Sequence, residues 1–308
     1  TLGEIRQTKT QKIRKLISLE KNVKGSFLKD LSYTTPIKMR FLNKSSHLLR
    51  VDKEEKPFSK KNKVSNKKVE LSAPHPQEDI SEIEKKIRDF KEKGYEFILH
   101  NYFPPPQKSF VLNIASDDKE TKNQCKNLIL QALNLSLLAN SKIYGIHPGY
   151  LSKATVGKDG MFDFEKNQVS YKDCLKRSVE FINEINLEFR KKGIKLLIEN
   201  LFPSPVRNSS LFCSLEQIKD LMSEVPNDVG LLLDIGHLNI SSNLMKFDKL
   251  SFLNHYLNLY GEKLLEIHIS DNDGVKDQHL ALPEGSWQFD WIKTIHEATK
   301  NNKIKTLY

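Results

Sequence analysis

The chain has 308 residues, 29% charged and 38% apolar, an ordinary balance that allows one large domain or two smaller ones around a buried core. No apolar run approaches the ~18 residues a membrane span needs, and no apolar signal-peptide core opens the sequence, so neither a membrane helix nor a secretory leader is expected. The net charge of +10 is local: residues 1–66 hold 17 Lys/Arg against 6 Asp/Glu, a balance of +11, which leaves the remainder near neutral at −1. That is a basic appendage on a neutral body rather than the uniformly basic surface of a polyanion-binding enzyme.

In chain order, residues 1–66 form a basic N-terminal region without a repeating pattern. "KIRKLISL" and "PIKMRFL" read as short strands, and "KEEKPFSKKNKVSNKK" (53–68) as a linker or long surface loop. A regular domain runs from residue 67 to 308. "KKVELSAPHP" reads as a strand. "SEIEKKIRDFKEKG" reads as a helix with Ser81 as N-cap, Glu84 completing a capping box and Gly94 ending it. Next come strand "YEFILHNYF", helix "KETKNQCKNLILQALNLSLLANS" and strand "KIYGIHPG". A long helix near 168–192 places Tyr171, Leu175, Val179, Ile182, Ile185 and Phe189 on one stripe. Strand "IKLLIENL", helix "SLEQIKDLMSEV", strand "VGLLLDIGH" and a helical stretch near 246–261 follow. Strand "KLLEIHIS", helix "FDWIKTIHEATKN" and strand "KIKTLY" complete the series. The cysteines, Cys125, Cys174 and Cys213, lie far apart with no CxxC spacing. They predict reduced, buried thiols in a cytoplasmic protein.

Seven strands alternating with helices predict a parallel sheet covered on both faces, and runs such as "GLLLDI" have the continuous apolarity such strands need. A doubly wound open sheet and a (β/α)8 TIM barrel both fit this alternation. The polar residues separate them. His100 ends "FILH", His147 ends "YGIH", Glu199 ends "LLIE", Asp234 ends "LLLD" with His237 three residues later, and His268 ends "LEIH". Asp277 and His279 lie in the loop after it. An open sheet would string these groups along a line, whereas a barrel gathers them around one axis at its C-terminal face.

Taken singly, a strand-end His is usually hydrogen-bonded scaffolding and an Asp before a helix is usually a cap. Asp271 and Asp273 of "SDNDG" read as turn-formers. The recurrence is what those readings leave unexplained, because burying carboxylates behind leucines is costly without a cation. Mixed His and carboxylate ligands suit a divalent metal: Zn, Mn, Co or Fe. Competing chemistries find no footing. There is no glycine-rich phosphate loop and no nucleophile elbow, and Cys213 has no base beside it in sequence.

The motifs "LHNYFPPP" with "FVLNIAS", "GIHPGY", "LIEN", "LLLDIGH", "EIHISDNDG" and "DQHLALPEG", in this order, make residues 67–308 resemble the xylose isomerase-like TIM barrels. This superfamily includes sugar phosphate isomerases/epimerases and endonuclease IV. The resemblance implies a (β/α)8 barrel, incomplete at its ends. "PIKMRFLN" is the best candidate for its first strand, and "KIKTLY" stops at Tyr308, just before the family's final Glu.

In the isomerase/epimerase branch the resemblance implies one divalent metal held by Glu199, Asp234 and His268. Proton transfer would run through an enediolate, with Glu199, His237 and His147 as catalytic groups, on a small sugar or sugar phosphate. In the endonuclease IV branch it implies up to three zinc ions on a wider set: His100, His147, Glu199, Asp234, His237, His268, Asp277 and His279. The substrate would then be nucleic acid. The near-neutral barrel and the aromatic, proline-rich segments "NYFPPPQKSF" and "NLFPSP" favour the sugar, with Tyr102, Phe103, Asn200 and Trp287 as substrate contacts. A non-catalytic barrel is the third reading. Residues 2–31 loosely resemble the start of the small antifreeze-like domain that ends sialic acid synthases.

Overall fold

Alternating inward and outward side chains organise the sheet around the strand ends singled out above. In the computed structural model, the described residues are 37–43, 46–53, 68–72, 79–157, 162–203, 209–301 and 304. Strands β1 (Ile37–Asn43) and β2 (Ser46–Lys53) form a two-stranded sheet of their own. The expectation that "PIKMRFLN" opens the barrel is therefore corrected: this strand hydrogen-bonds to the segment just after it in sequence instead of joining the parallel sheet. The strand expected at "KIRKLISL" lies outside the described residues, as does that at "KIKTLY" apart from Ile304, which is buried in the core.

The parallel sheet begins with β3 (Lys68–Ser72), followed by α1 (Ile80–Glu92), β4 (Glu96–His100), α2 (Lys119–Ala139) and β5 (Ile143–Ile146). An excursion then pairs β6 (Ser152–Val156) with β7 (Phe162–Gln168) in antiparallel fashion. The alternation resumes with α3 (Tyr171–Lys191), β8 (Lys195–Glu199), α4 (Leu215–Glu224) and β9 (Gly230–Asp234). It ends with α5 (Ile235–Met245), α6 (Lys249–Tyr260), β10 (Leu264–His268) and α7 (Trp287–Lys300). The order across the sheet is β3-β4-β5-β8-β9-β10, every neighbouring pair parallel.

Helix boundaries follow from local chemistry. Asp118, Ser170, Ser214 and Asp248 each accept a backbone N–H of the first turn they cap. The first helix begins earlier than the sequence suggested, because Asp79 rather than Ser81 caps it: Asp79 Oδ1 accepts the Ser81 N–H at 3.0 Å. The helical stretch expected near 246–261 is the helix Lys249–Tyr260, and a helix that was not expected precedes it. It spans residues 235–245, and Lys246, at φ 60°, ends it before the second begins. The stripe on α3 behaves as expected, with Ile182, Ile185 and Phe189 buried and Tyr171, Leu175 and Val179 packed against the core.

The sheet is strongly curled. Six flat strands at about 4.8 Å spacing would hold the outer pair about 24 Å apart. Yet Glu70 on β3 and His268 on β10, the two ends of the order, meet at 2.7 Å. Open-sheet geometry cannot do this, so the six strands form a TIM-barrel-like partial barrel. Its outer layer is the large core under the helices, with Leu231 and Leu233 of β9 facing out. Its interior holds a separate apolar layer of Ile98, Ile143, Leu197, Leu232 and Leu265.

Candidate metal centre

That interior layer is the floor of the site. On β4, β8 and β9 the floor residue stands two positions before the strand-end acid or imidazole: Ile98 before His100, Leu197 before Glu199, Leu232 before Asp234. A two-residue step keeps the same face of a strand, so the side chains that follow also point inward, one layer higher. On β10 a bulge between Leu264 and Glu266 lets Leu265 join the floor while Glu266 and His268 also face inward. On β5 the corresponding middle position is Gly145. A Cβ there would stand 2.9 Å from Leu232 Cδ1 and 3.0 Å from His100 Cδ2, so glycine leaves room for the His100 ring.

Glu199 is the centre of the cluster and only 1% exposed. Its Oε2 lies 2.6 Å from His100 Nε2 and 3.1 Å from His147 Nε2, and its Oε1 lies 3.2 Å from His237 Nδ1 and 3.7 Å from His268 Nδ1. Burial alone would raise this carboxyl, but the charges and hydrogen bonds of His100 and His147 hold it well below its ordinary value. Asp234 has two tasks. Its Oδ1 accepts the His237 backbone N–H at 2.8 Å as the N-cap of α5, and its Oδ2 lies 3.6 Å from His268 Nδ1. One oxygen thus caps the helix and the other faces the His268 ring.

The imidazoles differ in state. Burial would lower all four, and it prevails at His147, which is held below its ordinary value. Facing carboxylates overcome burial at the other three: His100 is raised by Glu199, His237 well raised by Asp234, and His268 well raised by Asp234 and Glu199. Asp277 extends the cluster, with Oδ2 3.5 Å from His237 Nε2 and 2.9 Å from His279 Nε2. Burial would raise its carboxyl, but hydrogen bonds from His237 and His279 lower it.

Two acids here were missed in the sequence. Glu70 and Glu266 end no strand, and Glu266, though it opens the motif "EIHISDNDG", was not singled out as a ligand, so only inward alternation on β3 and β10 could have flagged them. Glu70 Oε2 takes the 2.7 Å contact with His268 Nε2, and Glu266 Oε1 lies 3.7 Å from the same nitrogen. Single ligand atoms from His100, Glu199 and His268 all lie within 4.8 Å of one another. The same holds for Glu199, Asp234 and His237, and for Glu70, Glu266 and His268. Buried carboxylates interleaved with imidazoles are the donor set a divalent transition metal takes, so the residues fit such an ion.

The expected substrate contacts are placed variously. Tyr102 is committed through its hydroxyl, which accepts the Leu112 N–H at 2.5 Å, and its ring meets Phe110 and Phe162. Phe103 packs against the core. Asn200 braces β8 to β9, its amide donating to Asp234 O at 2.9 Å and accepting from Asp234 N at 2.7 Å. Trp287 packs edge-on against Trp291, with Lys249 Nζ 4.1 Å above its ring. Phe202, not anticipated, lies 5.0 Å from the His237 ring. Tyr150 brings its hydroxyl to 3.4 Å from His147 Nδ1, and its ring packs on Phe162 and Phe164 of β7. Asp273 is a turn residue as read, its Oδ1 accepting from Val275 and Lys276 N–H, whereas Asp271 is not: it forms an antiparallel bridge to Leu280, and its Oδ1 accepts from Gln288 Nε2 at 2.7 Å.

The sequence signature described as xylose isomerase-like TIM barrel matches residues 66–303. The chain belongs to this family. Among curated relatives of this xylose isomerase-like chain, the uncharacterized protein MJ1614 of Methanocaldococcus jannaschii is 28% identical over 64% of this chain and 65% of its own. Apurinic-apyrimidinic endonuclease 1 of Plasmodium berghei is 22% identical over 69% of this chain and 40% of its own. Probable endonuclease 4 of Thermosipho africanus is 25% identical over 70% and 71%. The chain thus spans less than two thirds of the first two relatives' lengths. Among solved structures, a D-tagatose 3-epimerase-like protein superposes with a TM-score of 0.55 at 21% identity over 74% of each chain. D-psicose 3-epimerase from Clostridium cellulolyticum H10 gives 0.54 at 15% over 78% and 73%. These superpositions show the barrel fold. Among the described residues no helix is long and apolar enough to cross a membrane.

Proposed function

We propose that the chain is a divalent-metal-dependent sugar or sugar-phosphate isomerase or epimerase that shifts a proton at the carbon beside a carbonyl, through an enediolate. The observation that carries this reading is Glu199: a buried, ionised carboxylate within reach of Asp234 and His268, beside a neutral imidazole. Glu199, Asp234 and His268 would hold the ion, which polarises a carbonyl and acidifies the neighbouring C–H when bound.

The chain's own groups handle the proton. Glu199 Oε2 accepts it from carbon and lies 3.1 Å from His147 Nε2. His147, neutral near pH 7 because burial lowers it, donates its Nε2–H to Glu199 Oε2 and so positions the carboxylate that takes and returns the proton. Its Nδ1 is held by Asn101 Nδ2 at 3.2 Å and the Tyr150 hydroxyl at 3.4 Å, which fixes the ring. His237, oriented by the Asn200 carbonyl at 2.8 Å from its Nδ1, turns Nε2 towards Asp277 and is placed to hold a substrate oxygen. The aromatic side chains of β7 and Tyr150 wall the His147 side, which suits a small polyol better than a duplex.

A second reading, a zinc-dependent apurinic endonuclease, is favoured by one specific observation. His100, His147, Asp277 and His279, which the one-metal reading does not need as ligands, adjoin the same cluster. In that reading several ions would activate water against a phosphodiester.

One assay separates the two. The zinc- or manganese-loaded chain is incubated in D2O with ketohexoses, free and phosphorylated, and separately with duplex DNA bearing an abasic site. Deuterium entering the carbon beside the carbonyl, slowed about 10²–10⁴-fold in Glu199→Gln, supports the isomerase. Strand cleavage without exchange supports the nuclease, and neither, at full metal loading, leaves the non-catalytic barrel.

A further inference from the structure

Beneath the cluster, β3 and β10 bring together groups that the proposed chemistry does not use. Glu70 stands two residues before Ser72 on β3 and Glu266 two before His268 on β10, each on its strand's inward side. Glu70, its side chain 26% exposed, faces two rings at once. Its Oε2 is 2.7 Å from His268 Nε2 and its Oε1 3.7 Å from His100 Nδ1. The far nitrogen of each ring faces the acids above: His268 Nδ1 towards Asp234 and Glu199, and His100 Nε2 onto Glu199. An imidazole that donates one N–H to a carboxylate offers the lone pair of its other nitrogen, so the carboxylate selects the tautomer and fixes the ring.

We propose that Glu70 is a positioning residue of the metal centre, holding the His268 proton on Nε2 so that the ring presents Nδ1 to the ion. This inference rests on the metal reading given above.

The rival use of the same groups is a cation of their own. Glu266 Oε2 is buried without a hydrogen-bond partner, and Glu70, Glu266 and His268 offer atoms within 4.8 Å of one another. His268 decides against it. To serve both places it would have to ligate through both nitrogens as an imidazolate, giving up the proton that its 2.7 Å contact with Glu70 accommodates.

The test is zinc binding by the full chain, measured by competition with a chromophoric chelator, alongside the unfolding midpoint of the metal-free protein. Wild type, Glu70→Gln and Glu70→Asp are compared. Glu70→Gln is expected to weaken zinc binding about 10–100-fold with the number of ions and the metal-free midpoint unchanged, and Glu70→Asp to recover part of the loss. Wild-type affinity in Glu70→Gln overturns the proposal. So does the loss of one ion from the stoichiometry, which makes the lower cluster a cation site, or a fall in midpoint that matches the loss of affinity. A wild-type chain that takes up no zinc overturns the metal reading itself, a result distinct from one confined to the variants.

Discussion

At Glu199 four imidazoles converge on one buried carboxylate, and their protonation decides how a metal enters. In the metal-free chain His237 and His268 keep their protons well above the ordinary imidazole value of 6.5, because Asp234, Glu199 and their neighbours face them. A cation held by His268 needs its lone pair, so uptake must expel that proton. The sign follows. His268 binds its proton more tightly than a free imidazole, so zinc affinity rises as pH climbs from 6.5 through the raised value, and zinc addition in weak buffer releases protons. A pH indicator dye reads this directly, and zinc uptake with no net release near pH 7 would exclude His268 as a ligand. The strand-end residues were legible because each closes an apolar run, where a polar side chain is conspicuous. Glu70 and Glu266 were not, since each lies inside a short strand in a mixed context that reads equally as a solvated face. Asp234 was legible under two readings, cap or ligand; the cap is made by one oxygen, and the other is left facing His268.

At the scale of the element, the site depends on layers. Each inward residue at a strand end stands on the floor of Ile98, Ile143, Leu197, Leu232 and Leu265, and Gly145 is the opening in the wall that admits His100. Gly145→Ala should therefore act twice. The added methyl presses on fully buried Leu232, destabilising the fold by about 1–3 kcal/mol in urea unfolding, and it displaces His100. Stability and zinc affinity both at wild-type level would mean that the floor has slack and that the layered account is wrong. Most elements followed from periodicity: β8 and β9 from their apolar runs, α3 from its stripe. The helix α5 did not, because "IGHLNISSN" is buried nearly all round and carries no amphipathic period. The β6–β7 pair was missed for the opposite reason: it is a half-exposed excursion outside the strand–helix alternation.

For the whole molecule, curvature is the property that turns scattered strand tips into one site. His100 and His279 are far apart in sequence, yet both join the chain of contacts that runs through Glu199, His237 and Asp277. Fold class was legible because only a closed or curled sheet makes sense of ligand-type residues at the same end of five strands. The choice between one ion and several was not, since both branches of the family draw on the same positions. The charge division, basic in 1–66 and near neutral beyond, remains a sequence observation that favours a small substrate at the barrel. The central claim is that Glu199, Asp234 and His268 share a divalent ion. Anomalous diffraction at the zinc edge, from crystals of the zinc-loaded chain, tests it most directly. The account predicts a peak at coordination distance, about 2.0–2.2 Å, from all three side chains. Zinc bound elsewhere, with no peak between these residues, would contradict it.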